Sequence, residues 1–290
     1  MIRFEQVSKR FGRVDVLKAL DLEVERGHRV ALVGSNGAGK TTLIRCLLGE
    51  YTCGGRVTVD GLEPRPHRTE VLSRVGFVPQ LPPPLKMPVG QLLRFAAGVC
   101  DADPERMVEV AARLGLDAER FRRQPFVKLS GGQKQKLLIA IALGRDTQVL
   151  VLDEPAANLD PEARQIFFSL LAERLDNTTM IISSHRLDEV ASLVNRVVEM
   201  DTGRIVLDDR VAEESKLSAL FQVHLTLARP DAAIARTLAT WQFADRRAGV
   251  EWHGTVSGPD RLRFLGMVAR YVGLLSRIEM QEVDAKVVFQ

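Results

Sequence analysis

Gly34-Ser35-Asn36-Gly37-Ala38-Gly39-Lys40-Thr41 follows the short apolar run Val30-Ala31-Leu32-Val33 and leads into a helix-like stretch, Thr41 to Leu48. Strand, Gly-rich turn and helix in that order are the setting in which G-x-x-x-x-G-K-T holds phosphate. Glycines let backbone N–H groups approach phosphate oxygens closely, and the helix N-terminus adds a favourable dipole. Lys40 is placed to reach β- and γ-phosphates as a point charge, and the Thr41 hydroxyl to ligate Mg²⁺. The competing reading is an ordinary Gly-rich turn, which rarely carries the whole pattern directly after a buried strand. Gly34, Ser35, Asn36, Gly37, Ala38, Gly39, Lys40 and Thr41, with Thr42 behind them, are therefore the expected nucleotide contacts.

Two more apolar runs, Val149-Leu150-Val151-Leu152 and Thr179-Met180-Ile181-Ile182-Ser183, read as buried strands. Their alternation with helix-like stretches predicts an α/β fold with a parallel sheet. The first run delivers Asp153-Glu154 to the sheet's C-terminal edge, where ligands bind in open α/β folds. Asp153 is expected to hold Mg²⁺ through its water shell. Glu154 is expected to polarise the attacking water, as base or orienting group. A pair of solvated acids at a strand end is the alternative for these two residues alone.

Between about Pro82 and Lys128 the texture changes. Pro82-Pro83-Pro84 and Pro88 bar regular structure, while Val89–Val99 and Pro104–Gly115 read as helices, the latter capped at Asp103-Pro104. This predicts a helical insertion. A second boundary falls near Asp208 to Leu217. Beyond it, Phe221–Ala228, Gly249–Val256 and Ile278–Phe289 read as strands, and Asp231–Trp241 and Asp260–Leu275 as helices, the order of a small α+β domain of split βαβ type. Trp241, Phe243 and Trp252 there line a ligand pocket or an interface, or, as aromatics at such positions more often do, belong to the core.

The bulk numbers fit. The 290 residues allow one large domain and a small one, and 46% apolar residues sustain a core. A net charge of +3 with dispersed basic residues gives no call for nucleic acid. Cys46, Cys53 and Cys100 show no C-x-x-C spacing, which suits a reducing compartment without a disulfide framework. The N-terminus lacks a signal pattern, and the greasiest stretch, Leu137–Gly144, is too short to span a bilayer, so no direct membrane insertion is expected.

With Leu129-Ser130-Gly131-Gly132-Gln133 added to the loop and the acidic pair, residues 1 to about 215 resemble the nucleotide-binding subunit of ABC (ATP-binding cassette) transporters, with every motif in family order. The resemblance implies a P-loop cassette with a RecA-like core sheet, an antiparallel β subdomain and a helical subdomain (about 82–128). Residues 216–290 would form an α+β, ferredoxin-like accessory domain. It implies ATP and Mg²⁺, and ATP hydrolysis coupled to transport. It also implies a homodimer or pseudo-dimer in which Ser130, Gly131, Gly132 and Gln133 grip the γ-phosphate bound by the other subunit. By the same resemblance Phe11 stacks on adenine, although a single Phe there reads equally as core. Gln80 senses Mg²⁺ and the attacking water. Asn158-Leu159-Asp160 crosses the dimer and lies at the nucleotide, and His185 contacts the γ-phosphate as a switch. Ala156-Ala157-Asn158 departs from the Thr- or Gly-bearing residues usual before Leu159-Asp160. Separate transmembrane permease subunits are the implied partners, with the cassette cytoplasmic and peripheral on the inner face of the membrane.

Within the family, the short insertion, Ile182-Ser183-Ser184-His185 and a C-terminal extension of about 75 residues resemble ABC-2-type exporters, including the copper-maturation ATPase of nitrous oxide reductase. Importers with a ferredoxin-like regulatory domain are the nearer alternative. Soluble cassette ATPases are the more distant one, because only residues 41–128 separate Lys40 from Leu129 and they hold no heptad run.

Overall fold

The computed structural model describes residues 1–174, 178–185, 187–210, 220–257, 261–269 and 271–283. The chain divides into two compact units, residues 1–186 with 193–211, and residues 187–192 with 212–290. The short helix α7 (Leu187–Val190) thus groups with the second unit. Most of the expected 208–217 boundary lies outside the described residues.

In the first unit, a six-stranded sheet runs β5 (Val75–Val78), β6 (Val149–Asp153), β7 (Thr179–Ser183), β3 (Arg29–Val33), β8 (Arg196–Asp201), β9 (Arg204–Arg210). All neighbours pair in parallel except the last, where β9 returns antiparallel along the edge. Every residue of β6 and β7 is buried, which explains their unbroken apolar runs: both faces of such strands are covered. A second sheet is antiparallel, β2 (Val14–Val24), β1 (Ile2–Phe11), β4 (Gly54–Val59), and alternates buried and exposed residues. Helix α1 (Lys40–Leu47) shares one core with both sheets, through Leu43, Ile44 and Leu47 against Phe4, Leu22, Val57 and Val151. Helix α2 (Arg68–Arg74) leads directly into β5.

The helical cluster contains α3 (Val89–Cys100) and α4 (Pro104–Arg113), and its core takes in Leu137 and Ala140 of α5 (Gly131–Leu143). The insertion therefore packs past its expected end at Lys128. Asp103 caps α4 as expected, accepting from the Glu105 N–H with Pro104 in the first turn. Residues 79–88, with their five prolines, carry neither helix nor strand. Helix α6 (Pro161–Ala172) follows β6.

The second unit has a four-stranded sheet in the order β11 (Ala244–Arg247), β12 (Glu251–Ser257), β10 (Leu220–Leu227), β13 (Leu275–Val283), with every neighbour antiparallel. With α8 (Ala232–Thr240) and α9 (Arg261–Ala269) the chain order is βαββαβ, two interleaved βαβ units, the ferredoxin-like arrangement. Strand β11 is absent from the sequence reading because Ala-Asp-Arg-Arg is a wholly exposed edge with no apolar alternation. The expected helix Asp260–Leu275 ends at Ala269. The expected last strand starts earlier, at Leu275, and its residues 284–290 lie outside the described set. Phe243 and Trp252 belong to the core with Phe264, and the half-buried Trp241 packs against it.

One buried cation joins the two sheets of the first unit. Arg196 on β8 grips Asp208 of β9 with both carboxylate oxygens at 2.7 Å and donates to the Glu23 carbonyl of β2 at 2.6 Å. The Asp208 carboxylate holds the guanidinium proton more tightly than usual. Replacing Asp208 by Asn leaves that buried charge half-paired, so urea unfolding is expected to show a loss of about 2–3 kcal/mol. A change within experimental scatter would mean that water replaces the carboxylate without cost.

Candidate functional site

Strand β3 ends at Val33 and the chain turns at once into the Gly loop. Gly34 takes φ +142°, and a Cβ there would lie 2.2 Å from the Met200 carbonyl oxygen. At Gly39, φ is +109° and a Cβ would meet Leu17 at 2.9 Å. These two positions need glycine for both backbone shape and space. Ser35, Asn36 and Gly37 are exposed between them, Ala38 is buried, and α1 starts at Lys40 without a side-chain cap, with Thr42 in its first turn. Its first N–H groups are thus available to an anion. Lys40 is buried, and its Nζ donates to the carbonyls of Gly34 (2.6 Å) and Ser35 (3.1 Å), folding the cation back over the loop.

Parallel pairing of β3, β7 and β6 brings three more groups to the same edge. Asp153 ends β6 opposite Ser183 at the end of β7. The fully buried Ser183 hydroxyl donates to Asp153 Oδ1 at 2.6 Å and accepts the Glu154 N–H at 2.9 Å. Thr41 Oγ1 lies 3.3 Å from the same Oδ1. Glu154 sits at φ +44°, a region costly for a residue with a side chain, on the order of 1–3 kcal/mol. The bond to Ser183 helps hold it there. Its carboxylate faces His185, Nδ1 to Oε2 3.3 Å, with the imidazole the more exposed partner. Gln80 is half-buried two residues beyond β5, at the same sheet edge as Asp153 by the pairing of Val78 with Leu152.

Oxygen donors alone, one carboxylate and one hydroxyl, meet at Asp153 and Thr41. That fits Mg²⁺, which takes few protein ligands and keeps water and phosphate oxygens for the rest. Among the described residues no cluster of three His, Cys, Asp or Glu side chains could replace it with an all-protein site.

A second group forms around α5. Ser130 caps it in a reciprocal box with Gln133, at 3.2 and 2.9 Å, leaving Ser130 and Gly131 exposed at the helix start. Asn158 comes close, since a Cβ on Gly132 would lie 3.2 Å from its carbonyl oxygen. Asp160 caps α6 through the Ala163 N–H and pairs with Lys136 of α5 at 2.9 Å. The cap, and then Lys136, hold its carboxyl below the usual range. Buried Gln135 of α5 donates to the Pro155 carbonyl at 2.9 Å, tying the helix to the turn after Glu154. Among the described residues, the hydrogen bonds of Ser130 stay within its own cap.

Phe11 is exposed rather than core. It meets Tyr51 edge to face, centroids 5.2 Å apart, with Lys9 Nζ 4.9 Å above its ring. Ser183, Gln135 and Tyr51 are absent from the sequence-derived site. Ser183 could have been suspected from its place at the end of a strand two residues before His185. Gln135 and Tyr51 carry no local signal.

Loop, acidic strand end and parallel sheet define a P-loop nucleotide-binding ATPase. The "ABC transporter" family model matches residues 17–157. The chain is 34% identical over 222 residues to the "Glutamine transport ATP-binding protein GlnQ" of Escherichia coli, covering 72% of this chain and 90% of that protein. It is 35% identical over 218 residues to the "Nod factor export ATP-binding protein I" of Cupriavidus pinatubonensis, covering 72% of this chain and 66% of that protein. A dimeric post-hydrolysis structure of an ATP-binding cassette with ADP and Pi shares the fold at 22% identity, with a TM-score of 0.63 over 73% of this chain and 99% of that one. The chain belongs to the ABC transporter family, as one of its ATP-binding, ATP-hydrolysing cassettes, with Mg²⁺ as partner ion. One relative's name speaks of export and the other's of glutamine transport, so the likeness does not sort the ABC-2 exporter expectation from its alternatives. Among the described residues no helix is long and apolar enough to cross a membrane.

Ser183→Ala removes the hydroxyl shared by Asp153 and the Glu154 N–H. The Mg²⁺ dependence of ATPase activity is expected to weaken about 10–100-fold, as for other groups that orient metal ligands. Ser183→Thr should recover most of it. An unchanged Mg²⁺ titration in Ser183→Ala would remove the positioning role.

Proposed function

We propose that this chain is the ATPase subunit of an ABC-2-type exporter, closing as a dimer on two ATP molecules and working on separate membrane subunits from the cytoplasmic face. The observation that carries the clamp is the division of chemistry between two places in the first unit. Lys40, Thr41, Asp153 and Glu154 lie at one edge of the sheet, while the exposed start of α5 at Ser130–Gly131 makes no bond to them. A helix start with free N–H groups seeks an anion. In a head-to-tail pair, that anion is the γ-phosphate on the other copy.

In this mechanism Ser35, Asn36, Gly37, Ala38 and Gly39 wrap the phosphates with backbone N–H groups. Lys40 exchanges two carbonyl acceptors for phosphate oxygens, and Thr42 lies behind the loop. Phe11, with Tyr51 beside it, offers an aromatic face to adenine. Thr41 and Asp153 hold Mg²⁺, aided from the β5 edge by Gln80; the ion supplies charge neutralisation at the phosphates. Glu154 accepts or orients the proton of the attacking water, and His185 positions that carboxylate and meets the γ-phosphate. Loss of the γ-phosphate removes the anion holding Ser130, Gly131, Gly132 and Gln133, so the pair reopens. Asp160 keeps the 158–160 turn rigid at the crossing.

Export is favoured by the brief helical insertion and by the export relative. Import is the second reading, favoured by the ferredoxin-like sheet of the second unit, which suits a regulatory domain. Transport by inside-out against right-side-out vesicles carrying the partner permease distinguishes them. Residues 216–290 are proposed as an accessory domain supporting the dimer.

Glu154→Gln is expected to abolish hydrolysis and to trap an ATP-dependent dimer on size-exclusion chromatography. Retained hydrolysis would overturn the catalytic assignment, and an ATP-bound monomer would place closure under the permease. Truncation after Leu217 is expected to weaken dimerisation or regulation while leaving nucleotide affinity unchanged. Loss of ATP binding in that variant would refute the domain division.

A further inference from the structure

Strands β10 and β12 of the second unit place His224 and His253 directly opposite each other in register. Their rings lie 4.0 Å apart, centroid to centroid, tilted by 31°. The alternation of β10 fixes their side of the sheet. Phe221, Val223, Leu225 and Leu227 are buried with Ile234 of α8 and Phe264 of α9, so His224 points to the opposite face, and His253 with it. Both imidazoles are half-buried, and among the described residues neither makes a hydrogen bond or an ion pair. Two half-exposed rings side by side, with no partner among the described residues for their nitrogens, leave those nitrogens open to a ligand from solvent.

The neighbours in the sheet are a small side chain and a carboxylate: the register row reads Ala244, His253, His224, Glu279 across it. Arg277 engages the Glu279 carboxylate, and among the described residues no third ligand converges on the pair. Two imidazole nitrogens bound to one ion at about 2.0–2.1 Å lie about 3–3.4 Å apart. The 4.0 Å spacing of the ring centroids is of the same order, so the site requires side-chain rotations that turn one nitrogen of each ring toward a common point.

We propose that His224 and His253 form a two-imidazole site for a divalent first-row transition ion, with water completing its coordination. Imidazole ligation favours Cu²⁺, Ni²⁺ and Zn²⁺ over Mg²⁺, and Cu²⁺ binds most tightly in that series. The site is separate from the oxygen-only Mg²⁺ site in the first unit and shares no residue with it. A pair with open positions suits reversible occupancy rather than a structural role, since structural zinc sites close with four protein ligands.

The test titrates the full-length chain with CuCl₂ and, separately, ZnCl₂, in a buffer without competing amines. The expected result is one reversibly bound equivalent in calorimetry, and a Cu²⁺ electron paramagnetic resonance signal with hyperfine structure from two nitrogens. His224→Gln and His253→Gln are each expected to lose that equivalent. Both should keep MgATP binding and an unchanged far-ultraviolet circular dichroism spectrum, which certifies the fold. The same stoichiometry in wild type and both variants would overturn the site, as would no binding to wild type. Should a variant misfold, the wild-type resonance spectrum still decides, because a signal lacking two equivalent nitrogens refutes the pair.

Discussion

A single buried hydroxyl holds the chemical edge of the first unit in order. Ser183 gives its proton to Asp153 and takes one from the backbone of Glu154. A carboxylate as buried as that of Asp153 needs such partners, because an unpaired charge away from water is prohibitively costly. The same contact fixes the strand-to-turn step at which Glu154 adopts its left-handed backbone. The pairing of β6 with β7 makes the contact possible, and the pairing of β7 with β3 sets Thr41 beside it. Fold and site are thus tied through three short strands whose residues are nearly all buried.

The second group, around α5, is held by different means. Its anchors are a capping box, the Asp160–Lys136 pair and the Gln135 bond to Pro155. The ion pair, with its Asp160 side open to solvent, contributes little by itself. The buried amide contributes more, since losing it would strand the Pro155 carbonyl and the glutamine together. Through Gln135, α5 is tied to the turn after Glu154 by a buried hydrogen bond. Any coupling between phosphate contact and hydrolysis within one copy therefore has a physical carrier.

The legible parts of this chain were those whose chemistry is contiguous. The Gly loop announces its backbone shape, its cation and its hydroxyl within eight residues. Asp153-Glu154 follows an apolar run long enough to be recognised as a strand. The capping signal at Asp103-Pro104 and the alternation of Phe221–Ala228 read equally well. Ser183, Tyr51 and Gln135 acquire their roles from partners 20–40 positions away, and no local pattern encodes such meetings. Strand β11 escaped because an exposed polar edge has no buried face to imprint a period on its residues. The histidine pair escaped for a related reason: register between β10 and β12 is a property of the sheet, and 28 residues separate its members in the chain.

The folded-back Lys40 has a thermodynamic consequence. Two carbonyls of its own loop already hold the cation over the cradle before any phosphate arrives. For Lys40, phosphate binding under the proposed mechanism becomes an exchange of acceptors on a loop whose shape its glycines already set. Little conformational entropy is spent on the loop, and the affinity difference between nucleotides rests on what lies beyond the loop. Under the proposed mechanism, selectivity among nucleotides falls to groups outside the cradle, because backbone N–H groups and one lysine meet any polyphosphate alike.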